Sequence, residues 1–343
     1  MVSIHELCSK ALSRSLDDLL ADLHASQATV IALMALTLLA ACRVLFRWFL
    51  LPEDDKEKEW RLLVPFCVTS IIACALSCAC WSLNIAALGT SYRYVKNEGS
   101  ALCSNILRDY IASFVSLTAF TVLYPLCVCA HAVCKFCIVD RLLRFNASEA
   151  ALGAIVRWER LAVALLIVGC ISLVACGIVA CTWFYSAAQH LSMVQSSYTN
   201  STARCSADDP NILKATATIN IAFDRSSDMH TCEAAVLTLI VASFSVATYL
   251  CRQRLNSVHR KALSIARTFM LVFLAIVARF AYVVTNASSM RGNLNAQCGS
   301  CDSCQQPLYA LKLWLDLTPW LEVSQSLHSS ALIVCRSMAV DAR

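Results

Sequence analysis

The sequence predicts an all-α membrane protein: a seven-transmembrane-helix bundle with its N-terminus outside and its C-terminus in the cytosol. Three observations carry this. Of the 343 residues, 58% are hydrophobic and only 15% are charged, against about 25% charged in a soluble domain. The charges are missing from long continuous runs and not diluted evenly, and the mean hydropathy is +0.62. The 28 Lys and Arg divide unequally between alternate connections of those runs. With only 7 Gly and 6 Pro the chain is not loop-rich. A net charge of +5 without a dense basic block excludes a nucleic-acid surface.

Residues 1–26 form a first unit. Ile4, Leu7, Ala11, Leu12, Leu16, Leu19 and Leu23 recur at helical spacing, while Asp17, Asp18 and Asp22 crowd the other side. That pattern predicts an amphipathic helix lying on the membrane or on the bundle. It has no continuous apolar core of the kind a cleaved signal peptide needs. Residues 27–343 form the transmembrane domain. A crossing takes about 20 mostly apolar residues. Six runs qualify readily, at about 28–50, 62–88, 110–139, 161–186, 233–251 and 265–285, and a more polar seventh lies at about 308–335. Lipid admits only helices and closed barrels, and these runs are too long for strands.

Orientation follows from the cations near the span ends. The connections after spans one, three and five carry five Lys or Arg each, and with the tail that side holds 17; the other side holds nine. The odd connections are therefore expected in the cytosol. The sequons at Asn200 and Asn286 fall on the outer side and are the glycosylation candidates, while Asn146 falls inside.

Fourteen of the 21 Cys lie in or at the ends of apolar runs, where they read as small packing residues. Six others collect on the outer connections: Cys103, Cys205, Cys232, Cys298, Cys301 and Cys304. An oxidising compartment makes them disulfide candidates, in any of 15 pairings. The run Cys298-Gly-Ser-Cys301-Asp-Ser-Cys304 lacks a fourth ligand nearby, so structural disulfides are expected there and no metal. The outer loop 187–232 is the one sizeable piece outside the lipid. Within it Ala215, Ala217, Ile219, Ile221 and Phe223 alternate with Lys214, Thr216, Thr218 and Asn220, a period of two that predicts strand. A small disulfide-bonded lid containing a β-hairpin is the expectation.

Charges inside spans are expensive and mark function by default. The candidates are Arg279 on span six and Lys312, Asp316 and Glu322 on span seven. Asp316 lies roughly 12 Å below the outer end of its span and Arg279 roughly 9 Å below its own, so the two are expected to pair. On span four, Gly169, Ser172, Cys176 and Ala180 form a small-residue stripe suited to a close helix contact.

Seven spans with an outer N-terminus, and with Cys103 able to bridge to Cys205 in the fourth connection, resemble the layout of G-protein-coupled receptors. Asp140-Arg141-Leu142 at the inner end of span three resembles that family's Asp-Arg-Tyr. Span seven departs from the family, reading Leu317-Thr-Pro319-Trp-Leu where receptors carry Asn-Pro-x-x-Tyr. The resemblance implies a receptor-like protein. A structural subunit of a larger membrane assembly needs only packing surfaces, and an ion- or proton-coupled transporter would use Arg279, Asp316 and Glu322 as its path. The sequence holds no clustered nucleophile, metal constellation or phosphate loop, so neither an enzyme nor a cofactor is expected. The expected partners are the lipid bilayer of the plasma membrane, or of another secretory-pathway-derived membrane, and proteins in that membrane or in the cytosol.

Overall fold

The computed structural model describes scattered positions between 25 and 50, most of 67–87, and the stretches 103–146, 149–198 and 210–255, nearly all of it helix. We label the helices α1, Cys67–Asn84; α2, Cys103–Asn146; α3, Glu149–Tyr198; and α4, Pro210–Leu255. Three segments, Cys67–Asn84, Leu107–Cys137 and Val156–Ser197, are long and apolar enough to cross a membrane. The first four predicted spans fall on helix wherever residues are described, save Leu50 in a turn, and the fifth, 233–251, lies inside α4. Spans six and seven and the N-terminal amphipathic helix lie outside the described residues.

The helices overrun the predicted spans. α2, α3 and α4 contain 44, 50 and 46 residues, about 66, 75 and 69 Å at 1.5 Å per residue. Each is more than twice the roughly 30 Å thickness of a hydrocarbon core. The excess replaces the predicted lid. Residues 187–198 continue α3, and residues 210–232 are the first half of α4 and not a strand. The period-two alternation was misleading because helical spacing runs through the same residues. Ala215, Ile219 and Ala222 are buried while Ala217 is exposed. Ala is the best helix former, Thr218 satisfies its hydroxyl on the Lys214 carbonyl at 2.9 Å, and Pro210 stands at the first helical position, where its missing N–H does no harm. These turns pack with α2 and the end of α3 around Leu107, Phe114, Phe184 and Leu191, the two Phe rings 5.9 Å apart.

Small residues set how closely the helices approach. At the α1–α2 seam, Ser70 Oγ lies 3.1 Å from Cys134 Sγ, and Ser77 Oγ lies 3.0 Å from Cys127 Sγ, an antiparallel register one heptad apart. At α2–α3, Gly177 meets the turn broken by Pro125. Pro125 has no N–H for the Thr121 carbonyl, and a Cβ on Gly177 would stand 2.7 Å from that oxygen and against the Pro125 ring. At α3–α4, a Cβ on Gly169 would stand 2.8 Å from Val236 Cγ2. Within the expected stripe, Gly169, Cys176 and Ala180 do face neighbouring helices, but Ser172 is exposed and Leu173 fills its place. The opposite face of α3 carries Leu161, Leu165, Val168, Ile171 and Ile178, with Ile171 64% exposed. In a soluble bundle that stripe would be polar; as it stands, it suits lipid.

Candidate functional site

A polar core lies where α1, α2 and α4 meet. On α2, Phe120, Tyr124, Cys127, His131 and Lys135 recur every three or four residues and so share one face. On α4, His230, Glu233 and Leu237 do the same. Glu233 is 1% exposed and is among the largest fully buried side chains. The Tyr124 hydroxyl donates to Glu233 Oε2 at 2.7 Å, and His230 Nδ1 lies 3.2 Å from the same oxygen. The Tyr124 ring stacks on Phe120 at 5.1 Å and meets the His230 ring edge-on at 5.4 Å. These contacts fix the phenol in the plane from which it reaches the carboxylate.

Beside this triad Ser77 Oγ of α1 lies 2.8 Å from His131 Nε2. Between the two groups is a cavity of about 20 Å³, whose polar lining is Tyr124, His131, Lys135 and Glu233. A space of that size holds about one water and no organic ligand. Lys135 itself is buried, at 8% exposure. A carboxyl, an imidazole, a phenol and an amine therefore converge around one water-sized gap, with the His230 imidazole behind Glu233. Such a group can hold or pass a proton, and ionised Glu233 can accept from Tyr124 and His230 at once.

The antiparallel register places this core along α3. Gly169 faces Val236, and Cys176 Sγ lies 3.6 Å from Cys232 Sγ. Glu233, the next residue after Cys232, is thus level with about residue 175 of α3, inside the stretch whose outer face is apolar from Leu161 to Val179.

Sequence reasoning looked elsewhere for the site. Arg279, Lys312, Asp316 and Glu322 lie outside the described residues, as do Cys205, Cys298, Cys301, Cys304, Asn200 and Asn286. Cys103 opens α2. Cys232 is a free thiol inside the bundle, facing Cys176. By hydropathy Glu233 opens span five and reads as its boundary, and Lys135 reads as one of the cytosolic cations after span three. The missed signal was the shared face of Tyr124, His131 and Lys135 at i, i+7 and i+11. Among the described residues no group of His, Cys, Asp and Glu has the makings of a metal site. Comparison of the chain with known protein families, with curated proteins and with solved structures gives no match.

Proposed function

We propose that the chain is a seven-span, receptor-like membrane protein whose working part is the hydrogen-bonded core around Glu233. The single observation that carries this is Glu233 itself, an ionisable carboxyl 1% exposed and held by Tyr124 from another helix. Packing alone is served as well or better by apolar residues of similar volume, so a buried carboxyl in an apolar bundle points to use. The core has two hydrogen-bonding states, with and without a proton on Glu233. When Glu233 gains a proton its carboxyl becomes a donor as well, and a proton on Oε2 competes there with Tyr124 and His230. That exchange changes the fit of α2 against α4, which is the element a receptor needs to carry a signal between its faces. The odd connections, with 17 cations against nine, face the cytosol in this reading.

A second reading, proton- or ion-coupled transport, is favoured by the cavity. Glu233, His131 and Lys135 line the same gap, so one water can relay a proton between carboxylate and imidazole.

One preparation tests both. The chain is reconstituted in liposomes and stepped in pH, while the carboxyl infrared band and the fluorescence of Trp81, which lines the cavity, are followed. A protonation band that disappears in Glu233→Gln, together with a fluorescence change that disappears with it, supports the switch. Dissipation of an imposed pH gradient by wild type but not by Glu233→Gln supports transport. Wild type and variant responding alike would leave the core as packing, the role expected of a structural subunit.

A further inference from the structure

We propose that Cys176 and Cys232 form a redox clamp between α3 and α4. Their sulfurs lie 3.6 Å apart, both thiols are free, and both are partly accessible. The contact belongs to the cluster that holds Tyr124, Leu173 and Met229, with Cys129 and Cys176 packed on it. A second observation makes the backbone suitable. A disulfide needs Cα atoms about 4.4–6.8 Å apart, whereas helix axes usually pack about 8–10 Å apart with Cα atoms about 2.3 Å from each axis. Only facing positions meet that requirement, at axis separations of about 9–11 Å. Gly169, two turns away on α3, shows that the two helices are in contact along this face, since a Cβ there would stand 2.8 Å from Val236 Cγ2, and Ala180 continues the small-residue face.

The oxidant that suits two thiols in an apolar setting is a lipid-soluble hydroperoxide. One thiol sulfur attacks the O–O bond, releasing an alcohol and leaving a sulfenic acid. The second thiol then attacks that sulfur, forming the S–S bond and expelling water. Thiol reductants reverse the change by exchange. Because Cys232 immediately precedes Glu233, the bridge would fix the rotation of α4 at the polar core. The proposal stands apart from the proton reading, since the sulfurs meet whether or not Glu233 titrates.

The test uses membranes holding the full chain, prepared reduced and treated with cumene hydroperoxide. Remaining thiols are capped with N-ethylmaleimide, and the unreduced digest is read by mass spectrometry. The expected result is a peptide pair joined through Cys176 and Cys232, with loss of the cap from both and its return after reduction. In Cys232→Ser, Cys176 should form no disulfide and be recovered singly, as the capped thiol or as the sulfenic acid; Cys176→Ala provides the mirror test if the first variant does not reach the membrane. Both thiols remaining singly capped while other cysteines oxidise, or either joined to a different cysteine, would overturn the proposal.

Discussion

At the scale of single residues, the account depends on Glu233 and the groups that donate to it. Removing the phenol oxygen in Tyr124→Phe takes away one hydrogen bond, and such bonds between membrane helices contribute about 0.6 kcal/mol, with a maximum near 1.7. Tyr124→Phe should therefore lower thermal stability in detergent only modestly. Glu233→Leu removes the oxygen that Tyr124 Oη and His230 Nδ1 both reach inside the bundle, and removing one partner of a buried hydrogen bond costs about 1–3 kcal/mol. Glu233→Leu should be the more damaging single change, and the double variant should recover part of the loss. Strict additivity in that cycle would mean the 2.7 Å contact is not made. The same logic extends to Arg279 and Asp316. If they pair, each Leu substitution alone removes about 3–5 kcal/mol and the double recovers much of it, read as folded yield. The two sites differ in how legible they were. Asp316 and Arg279 stand in the middle of apolar runs and attract notice at once. Glu233 stands at the border between a polar and an apolar stretch, and only the helix register places it inside the bundle.

At the scale of elements, the helices were legible and their ends were not. Hydropathy marks where a helix becomes apolar; it does not mark where α3 or α4 begins or stops. The turns at 210–226 bury their apolar side against α2 and the end of α3 and lie outside the segments apolar enough to cross a membrane. Ala215 to Phe223 fits two periods at once, and only packing decides between them. Cysteine scanning across 214–224 should show protection at 215, 218, 219 and 222 with labelling at 217 and 224; alternation by twos would restore the hairpin. The glycines predict a graded series. Gly153 has nothing within 4 Å of a Cβ, so Gly153→Ala should stabilise by about 0.5–1 kcal/mol through helix propensity. Gly169→Ala meets one methyl of the stiff, buried Val236 side chain, 2.8 Å away, and should lose less than Gly177→Ala. Gly177→Ala meets the Pro125 ring and the Thr121 carbonyl, which cannot swing aside, and should lose about 1–3 kcal/mol by overpacking. Thermal unfolding of the three variants in one detergent checks the order.

At the scale of the whole molecule, the claims are orientation and depth. If the odd connections are cytosolic, glycosidase should shift the mobility of wild type, and Asn200→Gln with Asn286→Gln should abolish the shift; a shift carried by Asn146 would invert the topology. Depth decides whether Glu233 is a buried working group or a surface residue. Hydropathy starts the fifth span at 233 and so centres it near residue 242. The contacts of Cys176 with Cys232 and of Gly169 with Val236 centre the apolar zone near 236. The most direct test places a nitroxide, carried by a genetically encoded amino acid so that native thiols are untouched, at the exposed α4 positions Thr231, Ala235, Thr238, Ala242 and Ser245. In bilayers, the ratio of oxygen to water-soluble nickel accessibility reports the depth of each. The account predicts the deepest positions at Ala235 and Thr238, with Thr231 already in hydrocarbon and Ser245 rising toward the far interface. Depth still increasing through Ala242 to Ser245, with Thr231 open to water, would put Glu233 at the membrane surface and contradict it.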